Sequence, residues 1–365
     1  METFYDCSPE EIFDALFDRV ANGKTADILF GNLANDRRIL HEKRWGRAFT
    51  LLYLEIPLCG QPAFDLHVIY DTGDQSWQKP TGKNVRKSGV SPREDVFRVA
   101  AACACTEPSP SAGKREIVEF LDRYAQSDIG GDGVDVAYDL RESVDAPPMV
   151  YLKMSDNTPN FDAFFAETGD AEGAERFARV RAKLPEGWNA WYTGVHTGRK
   201  GKPLRIGSFI DENLKKRYAR DIRLFSKALQ EAGFDTLPLT TDKLKELFSY
   251  PLPVDVQLDV LENGQIGDVL GISLTTRDIG REALAVSFAN GYMKELMTLL
   301  SGWGASDERW KLLPEATFSV LRVKKYPDGK TKRFVLSGKL NFVKVRFQGA
   351  SCDAKAYFSL AALPI

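Results

Sequence analysis

Five times along this chain two short strand-like runs follow one another between helical stretches, and in most of these runs the apolar residues share one parity while charged or hydroxylated residues take the other. The paired runs are 49–56 with 64–70, 134–140 with 149–154, 188–195 with 204–210, 254–261 with 269–275, and 340–347 with 354–360. Side chains alternate faces along a strand, so each run has one greasy face and one polar face. A run such as 254–260, VDVQLDV, can simply turn its polar face to water. Helices separate the pairs, however, and a helix needs an apolar surface to lie on. The greasy faces therefore most economically point outward at helices, and the polar faces line the inside of a closed barrel. The expected fold class is α+β: a ten-stranded antiparallel barrel with a polar, solvent-filled lumen inside a ring of helices. Ten strands exceed the roughly 8 whose interior side chains alone can fill, so a ligand-sized lumen follows.

The pattern runs nearly end to end through 365 residues, which favours one domain over 1–365 with a helical segment over 1–46. A hydrophobic content of 43% with 27% charged residues is that of a globular chain able to bury a sizeable core. The formal net charge of -2 and the lack of a polybasic run argue against nucleic acid as a partner. No signal-peptide pattern opens the sequence and no apolar stretch nears the ~20 residues that span a bilayer, so a cytoplasmic protein without a membrane partner is expected. The five cysteines are scattered, with Cys103 and Cys105 reading as small buried hydrophobes. His41, His67 and His196 lack metal-ligand spacing, which argues against a zinc enzyme.

Ser8-Pro9-Glu10-Glu11 combines a capping box with a proline at the first helical position and opens an amphipathic helix to about Ala21. A polar loop is expected over 77–93, and helices over 93–105, 114–126, 161–166, 171–184, 211–232, 242–249, 278–300 and 307–312. Gly233 ends the 211–232 helix. Asn263-Gly264 signals a tight hairpin. Runs 318–326 and 332–336 read as an additional hairpin without a fixed place.

With the apolar set outward, the inner parity carries Tyr53, Glu55, Asp65 and His67 in the first pair, and Asp135, Asp139, Tyr151 and Lys153 in the second. Arg205 stands alone in the third, and Asp255, Gln257, Asp259 and Ser273 follow in the fourth. The last pair brings Lys344, Arg346, Lys355, Tyr357 and Ser359. Lysine, arginine and tyrosine gathered with few neutralising partners are costly to enclose unless they hold an anion. Diphosphate suits them: Arg offers forked donors, Lys a point charge and Tyr a neutral hydroxyl. Aromatic faces at Tyr53, Tyr151, Tyr357 and Trp191 can shield an allylic cation.

On these residues the chain resembles the ABBA (αββα, or PT-barrel) prenyltransferases. Tyr151-Leu152-Lys153 and Lys355-Ala356-Tyr357 resemble the pairs that cradle prenyl diphosphate, and Arg205, Lys344 and Arg346 resemble other basic cradle residues. Glu55 resembles the acidic residue that orients or deprotonates the acceptor, and His67 stands where a basic cradle residue is often found. The resemblance implies dimethylallyl or geranyl diphosphate as donor and an aromatic or indolic, amino-acid or modified-peptide acceptor. The resemblance also implies that no cofactor is required. Some members use magnesium, for which Asp65, Asp135, Asp139 or Asp259 are the available ligands. The chain has no Asp-Asp-x-x-Asp motif, which weighs against a helical isoprenoid synthase.

Each assignment has a plainer counterpart. Glu55 can be a solvated strand carboxylate, the Lys/Tyr pairs the water-facing edge of an ordinary sheet, and His67 a hydrogen-bonded structural residue. A non-catalytic barrel that binds an anionic or amphipathic ligand is the main rival. An open sheet serving as a partner surface would splay Lys153, Lys344 and Lys355 far apart, and Gly130-Gly131-Asp132-Gly133 lacks the lysine of a phosphate-binding loop.

Overall fold

The computed structural model describes residues 7–20, 25–31, 37–38, 40–41, 49–71, 100–101, 111–126, 133–140, 147–153, 161, 165–166, 170–195, 203–235, 241–276 and 281–364. The loop expected over 77–93, most of the 93–105 and 161–166 helices, Cys103, Cys105, His196 and the glycines at 130 and 131 lie outside them.

Among the described residues there are eleven strands: β1 (Phe49–Pro57), β2 (Asp65–Asp71), β3 (Gly133–Tyr138), β4 (Met149–Lys153), β5 (Trp188–Val195), β6 (Leu204–Ile210), β7 (Val254–Val260), β8 (Ile266–Thr275), β9 (Phe318–Lys325), β10 (Thr331–Gln348) and β11 (Ser351–Pro364). Each of β1 to β7 pairs antiparallel with the next, β8 pairs with β10, β10 with β11, and β11 returns to β1. Ten strands thus close a barrel, and β9 hangs outside it on the first half of β10.

The apolar parity faces out. Leu52, Leu54 and Ile56 of β1, Val254, Val256 and Leu258 of β7, and Val343, Val345 and Phe347 of β10 are buried in one core with helix residues such as Phe13, Phe177, Phe225 and Leu296. Fully burying a side chain of this size stabilises by about 1.5–3 kcal/mol, so the sleeve of core between strands and helices supplies much of the drive to close the ring.

The helix that opens with the capping box is α1 (Pro9–Val20), where the Ser8 amide donates to Glu11 Oε2 at 2.7 Å and the Glu11 amide donates to Ser8 Oγ at 3.4 Å. Two expected single helices are each broken. Residues 211–232 form α5 (Glu212–Arg220) and α6 (Ile222–Ala232), counting α2 (Thr25–Phe30), α3 (Ala112–Gln126) and α4 (Ala171–Arg181) before them. Asp221 leaves helical geometry at φ -136° and its carboxylate caps α6 by accepting from the Arg223 amide, competing locally with helix continuation. After α7 (Thr241–Ser249), the described part of the helix expected over 278–300 divides into α8 (Arg281–Asn290) and α9 (Tyr292–Gly302) at Gly291. There Ser287 Oγ accepts from the Met293 amide at 3.1 Å. The segment expected as a helix over 307–312 is a 3-10 helix, Glu308–Ala316, with Pro314 inside it. Among the described residues no helix is long and apolar enough to cross a membrane.

The unplaced hairpin is β9 with the start of β10, and β10 runs on without a break into the barrel, so runs 332–336 and 340–347 are one strand. A bulge between Leu340 and Phe342 hides this continuity. Leu336 and Leu340 face the core on even positions, whereas Val343 and Val345 face it on odd ones, because a single extra residue reverses the alternation. A second bulge, between Ala190 and Tyr192, does the same in β5.

Adjoining positions test the orientation of the sheet. Leu258→Ala, on the helix side, is expected to cost about 2–5 kcal/mol, and Gln257→Ala, on the lumenal side, about 1 kcal/mol, both read as shifts in the urea unfolding midpoint.

Candidate functional site

The register brings the inner-parity charges together. β11 sets Tyr357 opposite Glu55 and Lys355 opposite Pro57 of β1, and Lys355 also opposite Lys344 of β10. Glu55 accepts from the Lys355 ammonium through Oε1 and from the Tyr357 hydroxyl through Oε2, and His67 Nε2 lies 3.7 Å from the same Oε2. The other imidazole nitrogen, Nδ1, is 3.2 Å from Asp135 Oδ2, and the ring stacks on Tyr151 at 5.9 Å between centroids. Lys355 Nζ is also 3.9 Å from Asp65. Across the lumen Arg205 donates from Nε and Nη2 to both oxygens of Asp259, at 2.7 and 3.0 Å, and from Nη1 to the Tyr151 hydroxyl at 3.2 Å.

Lys344 differs. It is 5% exposed, and among the described residues it makes no hydrogen bond or ion pair. Arg346 shares its face two residues on, at the half-exposed rim, where it donates from Nε and Nη2 to the two oxygens of Asp353, each at 2.9 Å. Lys153 lies opposite Tyr192 in the β4–β5 register; its side chain is outside the described residues.

The expectation of cations with few neutralising partners is therefore corrected: Lys355, Arg205, Arg346 and His67 each have a carboxylate beside them. The carboxylates occupy the same inner parity on neighbouring strands, as in Arg205 opposite Asp259 and Arg346 opposite Asp353. The reading of Glu55 as a solvated carboxylate also gives way, since the residue is 8% exposed.

These contacts set the protonation states. Burial alone would raise the Glu55 carboxyl, but the charges of Lys355 and His67 and a His67 hydrogen bond outweigh it and hold Glu55 well below the usual range. Burial would neutralise His67, but Asp135 and Glu55 reverse this and raise it to about 10. Lys344 goes the other way: burial first, then Arg205 and Lys355, lower it to about 7. His67 and Arg205 thus hold their protons, and Lys344 is short of one.

Aromatic rings line the same wall. The β5 bulge puts Trp191 and its neighbour Tyr192 both inside, 4.7 Å apart, with Trp191 stacked on Phe209 at 4.9 Å. Trp191 Nε1 donates to Asp255 Oδ1 at 2.8 Å. Tyr53 receives a hydrogen bond from Asn341, itself the bulge residue of β10, at 3.1 Å, and Phe342 stacks on Tyr357 at 4.1 Å. Tyr151 and Tyr192 lie flat across glycines of the next strand. A Cβ on Gly194 would fall 2.2 Å from the Tyr151 ring, and one on Gly207 1.8 Å from Tyr192. Tyr192 and Gly194 escape a strict parity reading because they follow the β5 bulge, although an adjacent Trp191-Tyr192 pair in one strand is itself a hint of one. Gly207, Phe209 and Phe342 share the parity of Arg205 and Lys344 but carry no polar group to single them out.

A closed ring of ten antiparallel strands, sheathed by helices and holding its charges inside, has counterparts among solved structures. The 5-dimethylallyltryptophan synthase from Streptomyces coelicolor superposes with a TM-score of 0.54 at 15% identity, covering 96% of this chain and 96% of that one. The apo form of the prenyltransferase PriB gives a TM-score of 0.50 at 12% identity, over 98% and 96%. The chain has the ABBA barrel fold. No protein-family model and no curated protein matches its sequence. At this identity the ABBA likeness is one of architecture, and the chemistry must be argued from the lumen itself.

Of the four aspartates expected as magnesium ligands, three lie beside cations. Asp259 is taken by Arg205, Asp135 by His67, and Asp65 lies beside Lys355. Among the described residues no group of three or more His, Cys, Asp or Glu is placed to hold a metal ion.

Two outcomes are expected. Because the folded state binds the His67 proton more tightly than the unfolded chain, the stability this gives is full below pH about 6.5 and lost as pH rises through about 10. Urea unfolding across pH 6 to 10 should show that decline, and His67→Gln should flatten it. Gly194→Ala should displace the Tyr151 ring and cost about 1–3 kcal/mol, measured by the same unfolding.

Proposed function

We propose that the protein transfers an allylic prenyl group from a prenyl diphosphate to an electron-rich acceptor and releases diphosphate. The observation that carries this reading is Lys344, a buried lysine without an ion pair, set among Lys355, Arg205 and tyrosines in an enclosed lumen. A cation that burial and like charges have driven toward neutrality regains its charge when an anion arrives. Lys344, Lys355 and Arg205, with Lys153 opposite Tyr192 in register, Arg346 at the rim, His67, and the hydroxyls of Tyr151 and Tyr357, form the diphosphate cradle.

In the reaction the C–O bond of the donor breaks and its electron pair leaves with the diphosphate, whose growing charge the cradle stabilises. Tyr53, Trp191 and the tyrosines of the cradle present ring faces to the allylic cation. A π pair of the acceptor then forms the new bond, and the acceptor gives up a proton. Glu55, held ionised by its neighbours, orients the acceptor by accepting a hydrogen bond from it. Dimethylallyl or geranyl diphosphate is the donor. The acceptor is an aromatic or indolic molecule, an amino acid or a modified peptide. The neighbours described as a dimethylallyltryptophan synthase and a prenyltransferase support the same direction.

The test is incubation with dimethylallyl, geranyl and farnesyl diphosphates against indoles, phenols and peptides, read by mass gain and pyrophosphate release. Lys344→Ala should abolish turnover while changing the unfolding free energy by no more than about 1 kcal/mol, because it removes an unpaired cation from the lumen. Lys355→Ala should also abolish turnover but cost about 3–5 kcal/mol, because it leaves Glu55 buried without its ion-pair partner. Binding of inorganic pyrophosphate at pH 8 should also take up a proton, since Lys344 at about 7 is then largely neutral. Calorimetry in buffers of different ionisation enthalpy measures this, and Lys344→Met should remove it. A barrel that binds pyrophosphate but gives no mass gain with any acceptor would instead be a carrier of anionic ligands.

A further inference from the structure

Of the carboxylates on the inner parity, Asp255 has the most distinctive surroundings. Glu55 is engaged by Lys355, Tyr357 and His67, Asp259 by Arg205, Asp135 by His67 and Asp353 by Arg346. Asp255 is 3% exposed and is held by neutral donors alone: Trp191 Nε1 to Oδ1 at 2.8 Å and Gln257 Nε2 to Oδ2 at 3.0 Å. Gln257 Nε2 also donates to Ser273 Oγ at 3.0 Å. Across the sheet Asp255 faces Phe209 on one side and Ser273 on the other, and Ser273 is opposite Lys344. Asp255 therefore lies between the aromatic wall of Trp191 and Phe209 and the unpaired Lys344 of the proposed cradle.

We propose that Asp255 is the group that receives the proton the acceptor loses, with Glu55 in the orienting role. This rests on the prenyl-transfer reading and names its proton acceptor. The acceptor ring's π pair bonds to the allylic carbon after the diphosphate has left with the C–O pair. The proton on the attacked atom passes to an Asp255 oxygen, and its bonding pair returns to the ring. Asp255 then stands as a neutral acid until the proton leaves with product release.

A carboxylate tied to Lys355 and His67 is a weak base, whereas one without an ion pair keeps its basicity. Burial, partly offset by the Trp191 and Gln257 hydrogen bonds, raises Asp255 to about 7, which suits a proton acceptor at neutral pH. The titratable groups that face it are Tyr192 from β5, Arg205 from β6 and Lys344 from β10.

The decisive variant is Asp255→Asn, compared with the intact protein on dimethylallyl diphosphate and whichever acceptor gains mass. Asn keeps the shape, and its oxygen can still accept from Trp191. Gln257 can turn its otherwise unpartnered Oε1 toward the new amide. The expected result is a kcat lowered by about 100-fold or more, with KM for dimethylallyl diphosphate little changed. The fall of kcat on the acid side, centred near pH 7 in the intact protein, should disappear. An acceptor deuterated at the attacked carbon should turn over more slowly than the protiated one in Asp255→Asn. A purely structural role for Asp255 would move neither the pH profile nor the isotope effect. If Asp255→Asn lowers the rate but keeps the acid limb, or keeps the full rate, the assignment is overturned and prenyl transfer stands. If the intact protein transfers no prenyl group to any acceptor, both are overturned.

Discussion

Everything in this molecule follows from giving the oily side of a sheet to helices. Once Leu54, Val256, Val345 and their neighbours are buried against the helices, the opposite side of every strand is committed to the interior of the ring, charges included. Enclosure makes each of those charges expensive unless it is answered by another. Most are: Glu55 by Lys355, Arg205 by Asp259, Asp135 by His67. The two groups left out of this matching, Lys344 and Asp255, sit one strand apart with Ser273 between them. A lumen whose charges were all matched would have little to offer a ligand. One that leaves a cation and a carboxylate unmatched holds the two groups on which the proposed transfer rests.

The barrel was legible in the sequence because period-2 alternation and the helix signals between pairs are local properties. Val254–Val260 shows its two faces without reference to any other segment, and the Ser8 capping box and Gly233 C-cap came from short-range chemistry. What escaped was where locality fails. The breaks at Asp221 and Gly291 depend on side chains competing for backbone groups inside otherwise helical patterns. The continuity of β10 was hidden because its bulge inverts the alternation midway.

The placement of the candidate site was legible in the same measure. Parity put Glu55, His67, Tyr151, Arg205, Lys344 and Lys355 on the inner side, and the structure gathers them in the lumen. Their partners could not be read, because pairing is a matter of register between strands far apart in sequence, as with Glu55 and Tyr357. Tyr192 was missed outright, since a strict alternation that admits Trp191 must exclude its neighbour.

The bulges at Trp191 and Asn341 have a wider meaning for how such a container diversifies. In most strands a one-residue insertion ruins the element, because every later side chain turns to the wrong side. Here the inversion is absorbed by sequence on either side of the fault, so two consecutive residues point inward and the outer wrapping is undisturbed. Sliding the fault along a strand would exchange which pair of side chains meets a guest molecule, giving this architecture a way to alter its contents without repacking its shell.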